Sequence, residues 1–258
     1  MRRLVLLTVV GVMAFTAVAY AVTDTLTYSA QLKFSGKPTT KKLANLGYTS
    51  ILHIDTDPSG LQPETAPITS VYFAKQIVNN AKYFPFCNRS EIDGQQTVPA
   101  KCAKAKVGTG TASALAGSPG SPSSGSVKED LGVTVVNGPK GKSLFLVLNS
   151  QAGAPVAIQN RVVPGTVVKS SGAFGYLVRF DIPADLQEQL GLAISLTDFK
   201  VAISGTPKKV KVGKVFKKIS YLQLNGCKGT LPVKAISYFR DTGTGTPKPV
   251  TSESKAKC

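Results

Sequence analysis

Residues 25–36 read TLTYSAQLKFSG, and their alternation of apolar and polar side chains decides the fold class. The apolar side chains recur at every second position: Leu26, Tyr28, Ala30, Leu32 and Phe34. A period of two places them on one face of an extended strand, whereas a helix would need a period near 3.6. The stretch therefore predicts a half-buried β-strand.

The same signature returns along the rest of the chain. Segments such as LGVTVVN at 131–137 and SLFLVLNS at 143–150 are short, rich in β-branched or aromatic residues, and bounded by turn residues. The intervening NGPKGK predicts a hairpin turn. About twelve such segments predict an all-β protein, and the fold we expect is a two-sheet antiparallel β-sandwich.

One segment has a helical pattern instead. In DIPADLQEQLG, residues 181–191, Pro183 suits the first turn of a helix and Gly191 suits its end. Leu186 and Leu190 are four positions apart and would share one helical face. The pattern predicts one short helix from Pro183 to Leu190.

The first 21 residues predict export. Arg2 and Arg3 precede an apolar stretch at 4–18, and Ala19-Tyr20-Ala21 fits the small-x-small rule for cleavage. The alternative is an uncleaved anchor, but the apolar stretch is shorter than the roughly twenty residues that span a bilayer. We therefore expect a secreted protein with residues 1–21 as signal peptide and no membrane span after cleavage.

Residues 22–258 are expected to form a single β-sandwich domain. The run AGSPGSPSSGS at 116–126 has too little apolar content to pack and predicts a flexible loop. Two small β domains joined by this run are the alternative. The tail from Thr242 is also poor in apolar residues, and Cys258 would tether it.

Four cysteines follow the leader, which in an exported chain predicts two disulfides. Three pairings are possible, and we favour Cys87–Cys102 and Cys227–Cys258 because each pair brackets a loop rich in turn residues. Closing a loop of about fifteen residues contributes roughly 3 kcal/mol. A zinc site is disfavoured because there is no Cys-x-x-Cys and His53 is the sole histidine.

The glycine-rich run VGTGTASA, residues 107–114, resembles a phosphate-binding loop. However, Gly108 and Gly110 alternate along a strand pattern. Glycines in such positions indicate close approach of a neighbouring backbone. The run predicts a strand.

The chain is strongly basic, with a formal net charge of +17. Its densest run, PKKVKVGKVFKK at 207–218, predicts an exposed edge strand or hairpin arm with outward lysines. Its six candidate polyanion-binding residues are Lys208, Lys209, Lys211, Lys214, Lys217 and Lys218. The partner would be an anionic cell-wall polymer or glycan, and the alternative is a solvated surface. Phe216 is the one aromatic residue in the run, which disfavours specific nucleic-acid binding.

Catalytic and metal motifs are weak. His53 could serve a triad, but its alternation with Leu52 and Ile54 predicts a half-exposed strand position. DTDPSG at 55–60 imitates the start of a calcium loop, which makes Asp55 and Asp57 weak calcium candidates. The twelfth-position acid is missing from that loop, so a β-turn is favoured and we expect no metal or cofactor.

Several short motifs carry a family resemblance. They are FPFC at 84–87, KCAKAKVGTGTASA at 101–114, LTDFKVAIS at 196–204, YLQLNGC at 221–227 and the terminal Cys258. With these motifs the chain resembles uncharacterised secreted β-rich proteins of actinobacteria, over about residues 71–258. The resemblance implies a disulfide-stapled extracellular β-fold, no assigned activity and no catalytic residue.

The sequence therefore favours a non-catalytic exported protein, a structural or binding module of the cell surface or medium. The first alternative is a glycan or peptide hydrolase whose carboxylates lie in strand-end loops. The second is a polyanion binder that uses the lysine-rich strand.

Overall fold

A computed structural model describes residues 22–34, 36–39, 42–155, 157–241 and 244–258. Antiparallel strands dominate it, which confirms the predicted fold class. The predicted signal peptide lies outside these residues. No helix in the described ranges is long and apolar enough to cross a lipid bilayer.

Sixteen strands are present in the described residues. The first eight are β1 (Thr23–Phe34), β2 (Ala44–Asp57), β3 (Ile68–Ala74), β4 (Ile77–Asn79), β5 (Lys106–Gly117), β6 (Val127–Asn137), β7 (Ser143–Ser150) and β8 (Arg161–Lys169). The others are β9 (Phe174–Asp181), β10 (Glu188–Gln189), β11 (Leu192–Ile203), β12 (Lys208–Val212), β13 (Val215–Ile219), β14 (Leu222–Leu224), β15 (Thr230–Phe239) and β16 (Lys248–Lys257).

Fourteen of these strands form one large curled sheet, and β12 and β13 form a separate hairpin. The sheet order is β1-β2-β11-β5-β6-β7-β8-β9-β3-β15-β16, with β14 and β4 continuing from the start of β2 and β10 added beside β11. The predicted division into two stacked sheets is not confirmed.

The sheet curls until its outermost strands, β1 and β16, face each other. The Tyr28 N–H in β1 donates to the Ser252 hydroxyl in β16 at 2.9 Å. The Ser254 hydroxyl donates to the Tyr28 carbonyl at 2.8 Å. Serine side chains thus join the two edges along a seam, and the curled sheet encloses the main hydrophobic core.

The helix predicted from Pro183 to Leu190 is wrong. Only Ala184–Leu186 form a 3₁₀ turn, and β10 follows at once. Leu190 and Gly191 have φ values of 53° and 77° and make the two-residue turn between β10 and β11. Left-handed backbone at two consecutive residues cannot continue a right-handed helix. The one α-helix in the described chain is α1 (Ala100–Lys104), inside the first cysteine bracket.

A non-strand segment, residues 86–105, covers the outer face of β6 to β8. Ile92 and the two cysteines at its ends pack there in a second, smaller apolar cluster with Phe145 and Val162. Cys87 and Cys102 are at disulfide distance, with Cα atoms 4.9 Å apart. The cysteine pair therefore closes the covering segment into a loop, and the apolar cluster attaches that loop to the sheet. Cys227 and Cys258 are also at disulfide distance, with Cα atoms 6.2 Å apart.

One end of the curled sheet, here called the closed end, is filled by aromatic rings. Phe73 stacks on Tyr176 at a centroid distance of 4.8 Å and contacts Tyr48 at 5.1 Å. Asn137 lies fully buried beside this cluster. Its amide donates to the carbonyls of Ala81 at 3.1 Å and Pro85 at 2.9 Å. These bonds hold residues 81–85 across this end of the sheet.

The glycine-rich run lies in β5, as predicted. A Cβ on Gly110 would lie 2.0 Å from the carbonyl oxygen of Lys200, and one on Gly108 would lie 2.4 Å from that of Ala202. Both glycines therefore permit the close approach of β11.

The run at 116–126 begins in the last residues of β5, and its later part hydrogen-bonds to residues 60–62. Gln62 accepts from Gly120 N–H at 2.8 Å, and its own N–H donates to Ser121 at 2.8 Å. The Ser123 N–H and hydroxyl both reach the Gly60 carbonyl at 2.9 Å.

Candidate functional site

A cavity of about 150 Å³ lies inside the curled sheet at the end opposite the aromatic cluster, here called the open end. Its walls are the inward side chains of β1 to β3 and β5 to β11, together with Thr65, Ala66 and the 3₁₀ turn at Leu186. The lining is overwhelmingly apolar. A largely apolar space of this size is large enough to hold a small apolar molecule or group.

The space exists because β5 carries small side chains where its neighbours carry large ones. Ala112, Ala114 and Ala116 all face the cavity. In the strand register Ala114 lies between Leu196 of β11 and Glu129 of β6. Native interiors are packed almost without voids, so three successive methyl groups leave a gap that larger residues would fill.

Glu129 is the unusual member of the lining. Its side chain is only 7% exposed, and both carboxylate oxygens are buried without a hydrogen-bond partner in the described part of the chain. Its same-face neighbours along β6 are Val127 and Leu131, which also line the cavity. Burying a carboxylate without a partner is costly, and more than nine in ten buried polar groups in proteins have one.

The nearest charged residues along β6 leave Glu129 uncompensated. Lys128 and Asp130 point to the outer face, where the Lys128 ammonium lies 3.2 Å from the Asp130 carboxylate. Asp130 also accepts from the Ser113 hydroxyl at 2.5 Å, and these bonds lower its pKa, the Ser113 bond most. The outer face therefore satisfies its own charges, and Glu129 faces the cavity alone.

Neutral groups supply the other polar atoms of the cavity wall, namely the hydroxyls of Tyr28, Ser50, Thr65 and Thr69 and the amide of Gln189. The Tyr28 hydroxyl bonds to Tyr48 at 3.0 Å and to Ser50 at 3.2 Å. Burial raises the pKa of Tyr28 and raises that of Tyr48 further, so both phenols stay protonated at neutral pH. Glu129 is the one carboxyl group among the described lining residues.

The mouth of the cavity lies where β5 ends and β6 begins. Ile194, Ala116 and Val127 form one row across three strands in the register of β11, β5 and β6. Val127 is 44% exposed, and the other two are half-buried. Glu129 is one row further in, beside Ala114. A ligand entering from the solvent would therefore meet an apolar rim before the carboxylate.

An ion-pair network fixes the rim. Arg161, at the start of β8, contacts Asp93 at 2.6 Å and Asp185 at 2.6 Å. Asp185 belongs to the 3₁₀ turn that places Leu186 in the cavity wall. The hydrogen bond that Arg161 donates to Asp185 raises the pKa of Arg161 most, followed by the one that it donates to Asp93. The network thus joins the covering segment, the sheet and the rim.

The first cysteine bracket is a staple. Cys87, Cys102 and Glu91 bring ligand-type atoms within 4.8 Å of one another, but the two sulfurs are paired. Glu91 accepts from the Asn88 N–H at 2.9 Å and contacts Lys101. These partners lower the pKa of Glu91, the Lys101 hydrogen bond most. The geometry is that of a capped turn beside a disulfide.

His53 and the calcium candidates lie outside the cavity. His53 is a half-exposed strand residue as predicted, and its Nδ1 lies 2.8 Å from Asp198 on the outer face of the sheet. Asp55 accepts from the Thr56 N–H at 2.8 Å. In the described ranges, neither Asp55 nor Asp57 belongs to a cluster of three metal-ligating side chains.

The lysine-rich run forms the separate hairpin of β12 and β13, as predicted. Val210 in the middle of β12 is buried, and the lysines of the hairpin are exposed. The hairpin follows β11 after Ile203, at the closed end of the sheet. It is therefore remote from the cavity, and the structure does not bring the two sets of residues together.

Sequence reasoning missed Glu129 because the predicted strand began at Leu131, whereas β6 begins at Val127. The pattern at Val127, Glu129, Leu131, Val133 and Val135 has a period of two with one acid among apolar residues. That acid was the available signal. A charged residue in the inward row of a strand indicates either a strand end or a site.

Comparison of the chain with family models, curated proteins and solved structures finds no match.

Proposed function

We propose that this protein is a non-catalytic, exported binding module that holds a small molecule with an apolar body and a polar head in the cavity of its open end. The observation that carries the proposal is Glu129, a buried carboxylate with no partner inside an apolar space. A buried charge is retained when a partner compensates it. We infer that the partner is the polar head of the ligand.

The cavity sets the size of that ligand. A space of about 150 Å³ matches an engineered apolar cavity that binds benzene. The ligand would therefore have on the order of six to ten non-hydrogen atoms. Each buried methylene group of the ligand would contribute about 0.8 kcal/mol.

Glu129 sets the chemistry of the head group. A ligand ammonium would form an ion pair with Glu129 and a ligand hydroxyl would donate a hydrogen bond to it, whereas a ligand carboxylate would place a second acid beside it. Charge-assisted hydrogen bonds are roughly twice as strong as neutral ones. The expected ligand class is a short aliphatic or aromatic amine, with the matching alcohol weaker.

Binding is favoured over hydrolysis by the number of acids. Glycosidases use two carboxyl groups about 5 to 10 Å apart, and the described lining contains Glu129 alone. Export is supported by the predicted leader at 1–21 and by two cysteine pairs at disulfide distance.

Titration calorimetry with hexylamine, hexan-1-ol and hexanoate tests the proposal, because the three probes share one chain length. We expect hexylamine to bind at least tenfold tighter than hexanoate, and Glu129→Gln to abolish that preference. Glu253→Gln, an exposed acid on β16, is the control and should keep it. Equal binding of all three probes, or no binding, would contradict the proposal.

A second variant locates the binding. Ala114→Leu places a larger side chain in the cavity and should remove binding of every probe. Ala202→Leu makes the same change on the exposed outer face of β11 and should leave binding intact. Binding that survives Ala114→Leu would place the ligand elsewhere.

A further inference from the structure

The lysine-rich hairpin is built differently from the rest of the molecule. β12 and β13 pair only with each other, from Lys208 opposite Ile219 to Val212 opposite Val215. Gly213, with a φ of 63°, and Lys214 form the two-residue turn at its tip. The hairpin therefore lies outside the main sheet at the closed end, where buried Val210 and its half-buried neighbours Val212 and Ile219 pack one of its faces against the core.

Its charges have no compensation inside the protein. Within the described residues, none of the six lysines from Lys208 to Lys218 forms an ion pair with an acid. Lys209 lies directly opposite Lys218, and like charges in that position destabilise a strand pair. An external anion would neutralise both.

The tip of the hairpin is apolar. Val215 is 55% exposed and Phe216 is 64% exposed, next to the turn. Phe216 lies opposite Lys211, and the Lys209 ammonium is 5.1 Å from the centre of its ring. Neighbouring strand residues point to opposite faces, so Phe216 shares its face with Lys209, Lys211 and Lys218, and Val215 lies on the other face beside Val212.

We propose that this hairpin docks on the surface of an anionic lipid bilayer, with Val215 and Phe216 inserted among the head groups and the lysines on the lipid phosphates. Apolar side chains beside basic residues are the combination that binds bilayer interfaces. A soluble polyanion would use the lysines but would gain nothing from the apolar tip.

Docking in this way would orient the molecule. The hairpin follows the closed end of β11, and the cavity mouth is at the start of the same strand. A strand of twelve residues spans roughly 35 to 40 Å. The mouth would therefore face away from the membrane, towards the solvent.

Flotation with vesicles of phosphatidylglycerol and phosphatidylcholine tests the proposal, with pure phosphatidylcholine vesicles and soluble heparin as comparisons. The triple variant Lys209→Gln/Lys211→Gln/Lys218→Gln should weaken binding to anionic vesicles about a hundredfold. Lys33→Gln/Lys200→Gln/Lys255→Gln removes the same charge from other exposed strand positions and should weaken it far less. Equal losses would show binding by net charge alone and overturn the proposal.

The apolar tip separates a bilayer from a soluble polymer. Val215→Ser/Phe216→Ser should weaken vesicle binding at least tenfold and leave heparin binding unchanged. The chain has no tryptophan, so Phe216→Trp gives a single reporter whose emission should shift to the blue on anionic vesicles. Phe86→Trp, also at an exposed position, should show no shift. A tip variant that binds vesicles as tightly as the native chain would overturn the proposal.

Discussion

The closed end and the open end of the curled sheet share the same strands but not the same interior. At the closed end, Tyr48, Phe73 and Tyr176 fill the space between the walls. At the open end, β5 supplies only methyl groups, and a cavity of about 150 Å³ remains. Side-chain volume along single strands therefore decides where the molecule is solid and where it is hollow.

The polar groups buried at the two ends differ in charge and in the hydrogen bonds that they make. Asn137 at the closed end is buried, and its amide donates to neighbouring carbonyls while its oxygen accepts from Tyr221 at 3.0 Å. Glu129 at the open end is buried with neither oxygen bonded. The Tyr176 hydroxyl at the closed end is also buried without a partner among the described residues, but a phenol is neutral, so the larger uncompensated cost of burial lies with the carboxyl group at the open end.

The largest expected effect comes from emptying the closed end. Phe73→Ala removes a ring stacked between two others and should lower the free energy of unfolding by about 4 kcal/mol. Urea denaturation followed by circular dichroism measures it. A cost below about 1 kcal/mol would mean that this end is not tightly packed.

The next largest effect on stability is expected from the ion-pair network of Arg161 at the rim of the cavity. Burial acts to raise the pKa of Asp93, but hydrogen bonds from the Val162 N–H, Arg161 and Arg89 outweigh it and hold the pKa below its usual value. Asp93→Asn should cost about 2 kcal/mol at pH 7. Asp181→Asn breaks an exposed pair with Arg179 and should cost less than about 0.5 kcal/mol.

The same carboxylate predicts a pH dependence. Because the folded-state pKa of Asp93 is lowered, its contribution is present above the unfolded value near 4 and is lost as the pH falls through the folded value. Melting temperatures from pH 7 to pH 2 should therefore fall less steeply for Asp93→Asn than for the native chain. Parallel curves would show that Asp93 is not the carboxylate responsible.

Replacement of Glu129 should stabilise the folded protein, in contrast to the replacements above. Glu129→Met removes an uncompensated buried carboxylate and should raise the free energy of unfolding by about 1 kcal/mol. The gain would be accompanied by loss of hexylamine binding, as expected where a functional group is retained at the expense of stability. Destabilisation instead would indicate a structural role.

A larger side chain at the open end should have the smallest effect on the free energy of unfolding, whereas the same change at the closed end should be destabilising. Ala114→Leu extends into the cavity and should change the free energy of unfolding by less than about 1 kcal/mol. Ala74→Leu at the closed end has no space, because Ala74 is fully buried beside the aromatic rings, and should cost about 2 kcal/mol. Similar costs at both positions would remove the distinction between the two ends.

Local features of the fold were predictable, and long-range ones were not. The alternation in residues 25–36 and the glycines of β5 report on a strand and its immediate neighbour, so sequence reasoning located both. Leu190 was misassigned because a four-residue spacing fits both a helix and a tight turn. Curling depends on which edges meet, and nothing local to Ser252 or Ser254 indicates that they bond to Tyr28.

The site was predictable only in part. The exposure of the lysine-rich hairpin was predictable because a dense run of charged side chains is costly to bury wherever it lies in the fold. The cavity could not, because it depends on alanines of β5 lying beside Glu129 of β6, and that register is a property of the pair of strands. Only the acid at position 129 within an apolar alternation was visible beforehand.

The serine seam also constrains when the chain can reach its final shape. Ser252 and Ser254 contact a residue more than two hundred positions earlier, at separations of 224 and 226. Because the chain is synthesised from its amino terminus, β1 is complete long before β16 exists. The curled sheet cannot close until almost the whole chain has been synthesised. One edge of β1 therefore stays unpaired until β16 has formed, and the formation of β16 limits the completion of the fold.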